Sequence, residues 1–175
     1  HTMAMLLAMA RNIPQAHQAL REGRWERSKW NGVELADKTL GVIGLGRIGT
    51  LVAQRAMAFG MLLAAYDPFV SAERARQLNV ELLSLDELLA RSDFLTLHLA
   101  KTPETVGLLD AKALASARPG VRIVNVARGG IIVEEDLAEA VRSGHVAGAA
   151  LDVFAAEPTT ESPLFELDGV IVTPH

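Results

Sequence analysis

The sequence predicts an α/β fold built on a doubly wound, parallel sheet, and three observations lead to this prediction. Short apolar runs alternate along the chain with segments of helical periodicity. The runs are apolar at consecutive positions, which is typical of parallel strands buried on both faces. A glycine-rich turn connects the first of these runs to a long helical segment, and such turns are characteristic of doubly wound sheets.

The first 38 residues are predicted to form a helix followed by an irregular segment. Residues 2–22 are predicted to be helical, with a bend or break near Pro14, because apolar residues recur at helical spacing: Met3, Leu6, Leu7 and Ala10. Residues 23–38 are mostly polar and contain two tryptophans, so we expect an irregular arm there.

The first strand and the first long helix follow this arm. Residues 39–43 form a short apolar run and are predicted to be a strand. Residues 47–59 are predicted to be a helix that ends at Gly60, because glycine readily takes the backbone conformation that closes a helix. We expect one face of this helix to be buried, with the residues Ile48, Leu51, Val52, Ala56 and Phe59.

The remaining elements continue the alternation of strands and helices. Further strands are predicted at residues 61–66, 94–99, 121–126, 146–153 and 170–172. Further helices are predicted at residues 72–78, 85–90, 111–117 and 134–143. Ser84 is a suitable N-terminal cap for the second of these helices, whereas Pro119-Gly120 and Gly144 close the last two.

Composition excludes several classes of protein. A chain of 175 residues, half of them hydrophobic, suits one globular domain with a substantial core. The net charge is −4 with no block of basic residues, which argues against a nucleic-acid or anionic-membrane surface. The apolar N-terminus is too short to span a bilayer. There is no cysteine, which excludes disulfides and thiol catalysis, and no ligand spacing indicates a metal site.

A glycine motif indicates that the sheet binds a dinucleotide. Gly44-Leu-Gly46-Arg-Ile-Gly49 follows the first predicted strand and begins the helix. In this context the glycines allow a tight turn, close approach of a pyrophosphate and close packing of helix on strand. Asp67 ends the second strand, where a carboxylate accepts hydrogen bonds from ribose hydroxyls and repels the extra phosphate of NADP. The motif therefore predicts a Rossmann-like domain that binds NAD.

Three polar side chains follow three other predicted strands. Arg128 lies in Asn125-Val-Ala-Arg-Gly-Gly130, Glu157 follows the next strand, and His175 follows the last. Because carboxyl ends of parallel strands meet at one edge, we expect these residues near the ligand. Arginine holds carboxylates through paired hydrogen bonds, and a glutamate beside a histidine fixes its tautomer as an acid or base.

These motifs together resemble the D-isomer-specific 2-hydroxyacid dehydrogenase family over essentially the whole chain. The similar segments are GLGRIG at 44–49, Asp67, NVARGG at 125–130, ALDVFAAEP at 150–158 and TPH at 173–175. The resemblance implies that Arg128 binds the substrate carboxylate, that His175 is the acid/base and that Glu157 pairs with it. It also implies these cofactor contacts: Gly44, Gly46, Arg47, Ile48, Asp67, Leu99, Val126, Ala127, Arg128, Asp152 and His175.

Three segments, at 20–35, 89–109 and 162–167, are most similar to bacterial members that oxidise D-3-phosphoglycerate at the start of serine biosynthesis. Two alternatives remain open. One is a reductase of glyoxylate, hydroxypyruvate or another 2-keto acid, and the other is an NAD-sensing, corepressor-like interaction module. His98 lies inside a predicted strand, so we expect it to be a packed core residue without a catalytic role.

The resemblance also implies how the chain is organised. We expect an NAD-binding domain over residues 1–175, with an N-terminal helix and dimerisation arm at 1–35 and a Rossmann core at 36–175. The family's substrate domain is expected to be absent, with its parts lying before and after this chain. We therefore expect the chain alone to bind NAD with little or no turnover. We also expect a cytoplasmic protein and a homodimer formed through residues 2–30.

Overall fold

The computed structural model describes all 175 residues, His1–His175, and contains one seven-stranded sheet. Every pair of neighbouring strands is parallel, in the order β3-β2-β1-β4-β5-β6-β7. The strands are β1 Thr39–Ile43, β2 Leu62–Tyr66, β3 Glu81–Leu82, β4 Phe94–Leu97, β5 Val121–Asn125, β6 Val146–Leu151 and β7 Val170–Val172. The predicted doubly wound α/β class is confirmed.

Seven helices surround this sheet. They are α1 Thr2–Ala10, α2 Ile13–Arg21, α3 Arg47–Ala58, α4 Ala72–Gln77, α5 Leu85–Arg91, α6 Ala111–Ser116 and α7 Glu134–Arg142. The N-terminus of α5 has the predicted serine cap, because Ser84 Oγ accepts the N–H of Glu87 at 3.3 Å and Glu87 Oε2 accepts the N–H of Ser84 at 3.0 Å. This reciprocal pair satisfies backbone donors that the first turn of a helix leaves free.

The core consists of two apolar layers, one on each face of the sheet. Helices α5, α6 and α7 cover one face, whereas α1 and α3 cover the other. Successive strand residues point to opposite faces, so Leu95 packs in the first layer and Phe94 in the second. Burial on both faces explains why the strands are apolar at consecutive positions.

The first helix belongs to the core. Helix α1 packs against β5, β6, β7 and α3, and its buried residues include Met5, Leu6 and Met9. The predicted break near Pro14 is present, and it lies at Arg11–Asn12, just before the proline. Asn12 has a positive φ of 52°, and Pro14 stands in the first turn of α2. Proline is compatible with that position because the first turn does not use its missing N–H.

The buried face of α3 differs from the predicted one. Val52 and Ala56 are buried as expected, but Ile48, Leu51 and Phe59 are 41–56% exposed. The remaining buried residues of the helix are the small ones, Gly49 and Ala53. A Cβ on Gly49 would lie 2.0 Å from the carbonyl oxygen of Gly44, so small residues let the helix axis approach β1 closely. The close approach of α3 to β1 therefore decides which face of the helix is buried, and hydrophobic periodicity alone does not reveal this.

The other deviations concern the strands. Strand β3 has two residues and was not predicted, because a pattern of two residues has no periodicity. Strands β4, β5 and β6 end at residues 97, 125 and 151, one or two residues earlier than predicted. The apolar residues that follow these ends no longer pair in the sheet. They line the edge at which the candidate functional residues lie.

Candidate functional site at the carboxyl edge of the sheet

The candidate residues follow the carboxyl ends of neighbouring strands. The sequence order of the strands reverses between β1 and β4, and such a point opens a crevice in a doubly wound sheet. The glycine turn follows β1 on one side of this crevice, and Leu99 follows β4 on the other. Arg128, Glu157 and His175 follow the three successive strands β5, β6 and β7. The sheet therefore brings all predicted site residues to one edge.

The glycines of the turn have different physical roles. Gly44 has a φ of +96°, and a Cβ on it would lie 2.7 Å from the carbonyl oxygen of His98. Gly44 and Gly49 are therefore required by the fold itself. Gly46 has an ordinary φ of −72°, and no atom lies within 4 Å of the position that its Cβ would take. The open space over Gly46 is at the N-terminus of α3, where free N–H groups attract anions.

Asp67 ties the exit of β2 to the glycine turn. Its Oδ2 accepts a hydrogen bond from the N–H of Leu45 at 2.7 Å, and its Oδ1 accepts one from the N–H of Phe69 at 2.8 Å. These bonds hold the carboxylate beside the turn, which is the position expected for an acceptor of ribose hydroxyl groups. Phe69 itself is 95% exposed next to this carboxylate.

The segment after β5 is held by the side chain of Asn125. Its Oδ1 accepts the N–H of Ala127 at 3.1 Å, and its Nδ2 donates to the carbonyl of Arg128 at 3.0 Å. The side chain of Arg128 is exposed, and its guanidinium donates to the carbonyl of Ala127 at 2.6 Å. A Cβ on Gly129 would lie 1.6 Å from the carbonyl oxygen of Phe154, so only glycine permits this contact. Residues 126–130, the arginine segment, and the segment after β6 are thus in direct backbone contact.

Glu157 and His175 form a hydrogen-bonded pair. His175 Nδ1 lies 2.6 Å from Glu157 Oε2, and Glu157 Oε1 accepts the N–H of Phe154 at 2.7 Å. The N–H of Phe154 and then the imidazole of His175 lower the pKa of the Glu157 carboxyl. Glu157 is therefore a carboxylate at neutral pH. It assigns the proton of the neutral imidazole to Nδ1 and leaves Nε2 as the basic nitrogen.

Asp152 connects the same segment to the last strand. It is buried, and its Oδ1 accepts a hydrogen bond from the hydroxyl of Thr173. The imidazole Nε2 of His1 lies 3.3 Å from the same oxygen. The sequence predicted Asp152 but neither of these partners, because Thr173 is 21 residues away and His1 lies at the other end of the chain, and such contacts leave no local pattern in the sequence.

His98 differs from His175 in its surroundings. Its Nε2 lies 3.0 Å from the hydroxyl of Thr96, and burial lowers the pKa of His98 to about 4. The imidazole is therefore neutral at physiological pH. His98 lies one residue after the end of β4 and is only partly buried, so the predicted position inside a strand and in the core is wrong, because β4 ends at Leu97.

Glu134, at the start of α7, was missed by the sequence reasoning although it holds the segment that carries Glu157. Its Oε1 accepts the N–H of Ala155 at 2.7 Å, and its Oε2 accepts the hydroxyl of Ser162 at 2.9 Å. An acidic residue in the first turn of a helix is common, so the sequence contains no signal that distinguishes this one.

Comparisons with known proteins agree with this geometry. The family described as "D-isomer specific 2-hydroxyacid dehydrogenase, NAD binding domain" matches residues 3–175. The D-3-phosphoglycerate dehydrogenase of Mycobacterium tuberculosis is 61% identical over all of this chain, which covers 33% of that protein. The Bacillus subtilis enzyme of the same name is 48% identical, again over all of this chain and 33% of the relative. The chain thus spans about a third of the length of these curated relatives.

Solved structures are similar over the whole chain as well. A glyoxylate reductase from Paecilomyes thermophila has a TM-score of 0.91 at 36% identity, over 99% of this chain and 53% of that one. The D-lactate dehydrogenase of Escherichia coli has a TM-score of 0.90 at 34% identity, over 100% of this chain and 55% of that one. Dehydrogenases with different named substrates therefore share this fold.

Proposed function

The chain belongs to the D-isomer specific 2-hydroxyacid dehydrogenase family, whose NAD-binding domain it spans, and we propose that the whole protein oxidises D-3-phosphoglycerate to 3-phosphohydroxypyruvate at the start of serine biosynthesis. The observation that carries the reaction type is the Glu157–His175 pair beside the Arg128 segment. The observation that favours this substrate is the identity of 48–61% with D-3-phosphoglycerate dehydrogenases over the length of the chain.

The glycine turn and its neighbours would hold the NAD. The open position over Gly46 and the N-terminus of α3, with Arg47 and Ile48, suit the pyrophosphate. Asp67 would accept the hydroxyls of the adenosine ribose. The other contacts that we propose lie at the exits of β1, β4, β5, β6 and β7: Gly44, Leu99, Val126, Ala127, Arg128, Asp152 and His175.

The side chains at the strand exits divide the chemistry among them. The bound nicotinamide supplies the hydride acceptor. Nε2 of His175 takes the proton of the substrate 2-hydroxyl, because Glu157 holds the other ring nitrogen. Glu157 stabilises the positive imidazolium that this transfer produces. Arg128 holds the substrate carboxylate and stabilises charge that develops on the neighbouring oxygen.

A substrate panel tests this proposal directly. The full-length protein is assayed with NAD and D-3-phosphoglycerate, D-glycerate, glycolate and D-lactate. We expect kcat/KM to be highest for D-3-phosphoglycerate. A higher value for D-glycerate or glycolate would favour the reductase of glyoxylate or hydroxypyruvate instead. NAD binding without turnover of any acid would favour the corepressor-like module. For residues 1–175 alone, we predict NAD binding with little or no turnover.

We also propose a homodimer that forms through residues 2–30, within an N-terminal segment of residues 1–35, with residues 36–175 as the Rossmann core. Three apolar side chains support this interface because they are largely exposed: Ile13 at 57%, Leu20 at 58% and Trp25 at 81%. Exposed apolar residues that lie together mark surfaces of association. Light scattering at micromolar concentration should show a dimer that Leu20→Lys dissociates, whereas Val106→Lys, at a similarly exposed position elsewhere, does not. A monomeric wild-type protein would contradict the proposal.

The location of the protein is a further proposal. No helix in the structure combines the length and the apolar character that a membrane crossing needs. The dehydrogenase chemistry depends on NAD, and we propose that the protein works in the cytoplasm. Fractionation of cells that produce the full-length protein would test this, with recovery in the membrane fraction as the contradicting result.

A further inference from the structure

Lys101 is a basic residue at the carboxyl edge that the proposed reaction does not use. It follows β4, between the glycine turn after β1 and the arginine segment after β5. Its side chain is exposed, and none of the ion pairs of the chain includes it. An exposed ammonium without a carboxylate partner is available for an anionic ligand.

The Lys101 side chain extends across the arginine segment. A Cβ built on Gly130 would lie 3.1 Å from Lys101 Nζ and 3.2 Å from its Cε. Gly130 has a φ of +79°, and it stands two residues after Arg128. The absence of a side chain at Gly130 thus leaves room for the ammonium over the backbone, two residues from the arginine that would bind the substrate carboxylate.

The backbone around Lys101 is well supported. Thr105 Oγ1 accepts the N–H of Thr102 at 2.8 Å and donates to the carbonyl of Ala100 at 2.7 Å. The N–H of Gly107 then donates to the carbonyl of Gly130 at 2.9 Å. These bonds join the backbone of the Lys101 segment to that of the arginine segment, so the two cationic side chains extend from neighbouring, well-held positions. Such positions suit the recognition of a substrate with two anionic ends.

The charge of Lys101 also reaches the catalytic pair. After the larger effects of Phe154 and His175, Lys101 contributes to the lowered pKa of the Glu157 carboxyl. This contribution is the smallest of those that lower the pKa, and it agrees with the contact of Lys101 with Gly130 at the same edge of the sheet.

We infer that Lys101 binds the second anionic group of the substrate, the phosphate in the case of D-3-phosphoglycerate, while Arg128 binds its carboxylate. This inference rests on the proposed function. Lysine is a suitable ligand because its ammonium binds phosphate as a point charge from several directions. Lys101 thereby becomes a determinant of specificity for phosphorylated over unphosphorylated 2-hydroxy acids.

The test compares two substrates that differ only in the phosphate. The full-length protein and its Lys101→Met variant are assayed with D-3-phosphoglycerate and with D-glycerate. We expect the ratio of the two kcat/KM values to fall at least tenfold in Lys101→Met, mainly through KM for the phosphorylated acid. Lys101→Arg should restore most of the ratio. Lys38→Met is a control at a partly buried lysine that precedes β1 at the opposite edge of the sheet, and it should leave the ratio unchanged.

The possible results separate the two proposals. Equal losses on both substrates in Lys101→Met, or no loss on either, would overturn the role of Lys101 alone. A wild-type protein that oxidises other 2-hydroxy acids but not D-3-phosphoglycerate would overturn both proposals. Thermal unfolding of each variant shows whether it folds. If Lys101→Met does not fold, Lys101→Gln replaces it, because glutamine also removes the charge.

Discussion

Replacing Glu157 with glutamine tests whether its carboxylate holds His175 ready for proton transfer. The carboxylate accepts the N–H of Phe154 at 2.7 Å and pairs with His175 Nδ1 at 2.6 Å. A glutamine oxygen can replace only one of these acceptors, and it carries no charge to stabilise an imidazolium. A hydrogen bond between charged partners contributes about 1.5–3 kcal/mol. The loss therefore corresponds to a roughly 10- to 150-fold decrease in kcat/KM.

The assay measures initial rates of NADH formation from D-3-phosphoglycerate by the full-length protein. Glu161→Gln is the matched control, because Glu161 is an exposed glutamate in the same segment and its carboxylate is in no ion pair or side-chain hydrogen bond of the chain. It should retain the wild-type rate. A Glu157→Gln protein that is folded and keeps more than half of the wild-type kcat/KM would refute the role of Glu157.

Three further predictions concern the cofactor site and pH. Gly49→Ala should lower the free energy of unfolding by about 1–3 kcal/mol through overpacking against Gly44. Gly46→Ala should alter it by less than about 1 kcal/mol but should weaken NAD binding. Chemical denaturation measures the first effect and NAD titration the second. Asp67→Asn should reduce the preference for NAD over NADP roughly tenfold in direct titrations, since about one charge–phosphate repulsion is removed. Because the pKa of Glu157 is lowered in the folded protein, its carboxylate stabilises the fold fully above the unfolded pKa of about 4.3. This stabilisation is lost as the pH falls through the folded pKa. The difference in the free energy of unfolding between wild type and Glu157→Gln, measured in urea, should therefore shrink below that pH.

The architecture was predictable because its strands are buried on both faces. A consecutive apolar run such as residues 40–43 has few other stable placements in a chain of this size. The glycine turn was equally informative, since each of its glycines meets a separate steric or ligand requirement. The NAD cofactor followed from this motif together with Asp67, and the family match confirms it.

The packing of individual helices was less predictable. Helical periodicity placed Ile48, Leu51 and Phe59 on the buried face of α3, but these residues are exposed. The requirement that decides the face, the contact of Gly49 with the backbone of Gly44, depends on the three-dimensional path of the turn. The break near Pro14 was predicted correctly, but its position before the proline was not, because proline suits the start of a helix as well as its interruption.

The candidate site was predictable where it depends on strand exits. Arg128, Glu157 and His175 follow strands that are neighbours in the sheet, so their common edge follows from topology alone. The supporting groups were not predictable, since Glu134 and Lys101 act on segments that come later in the chain through contacts with no periodic signal. The roles of all these residues in catalysis and cofactor binding remain predictions for the experiments described above.

The most direct test of the central claim is the rate of NADH formation from D-3-phosphoglycerate by the full-length protein and its His175→Asn variant. Asparagine cannot act as an acid or base near neutral pH, so we expect kcat/KM to fall by a factor on the order of 100 or more, with thermal unfolding unchanged. A folded His175→Asn protein that oxidises D-3-phosphoglycerate at the wild-type rate would contradict the assignment of this edge of the sheet as the catalytic site.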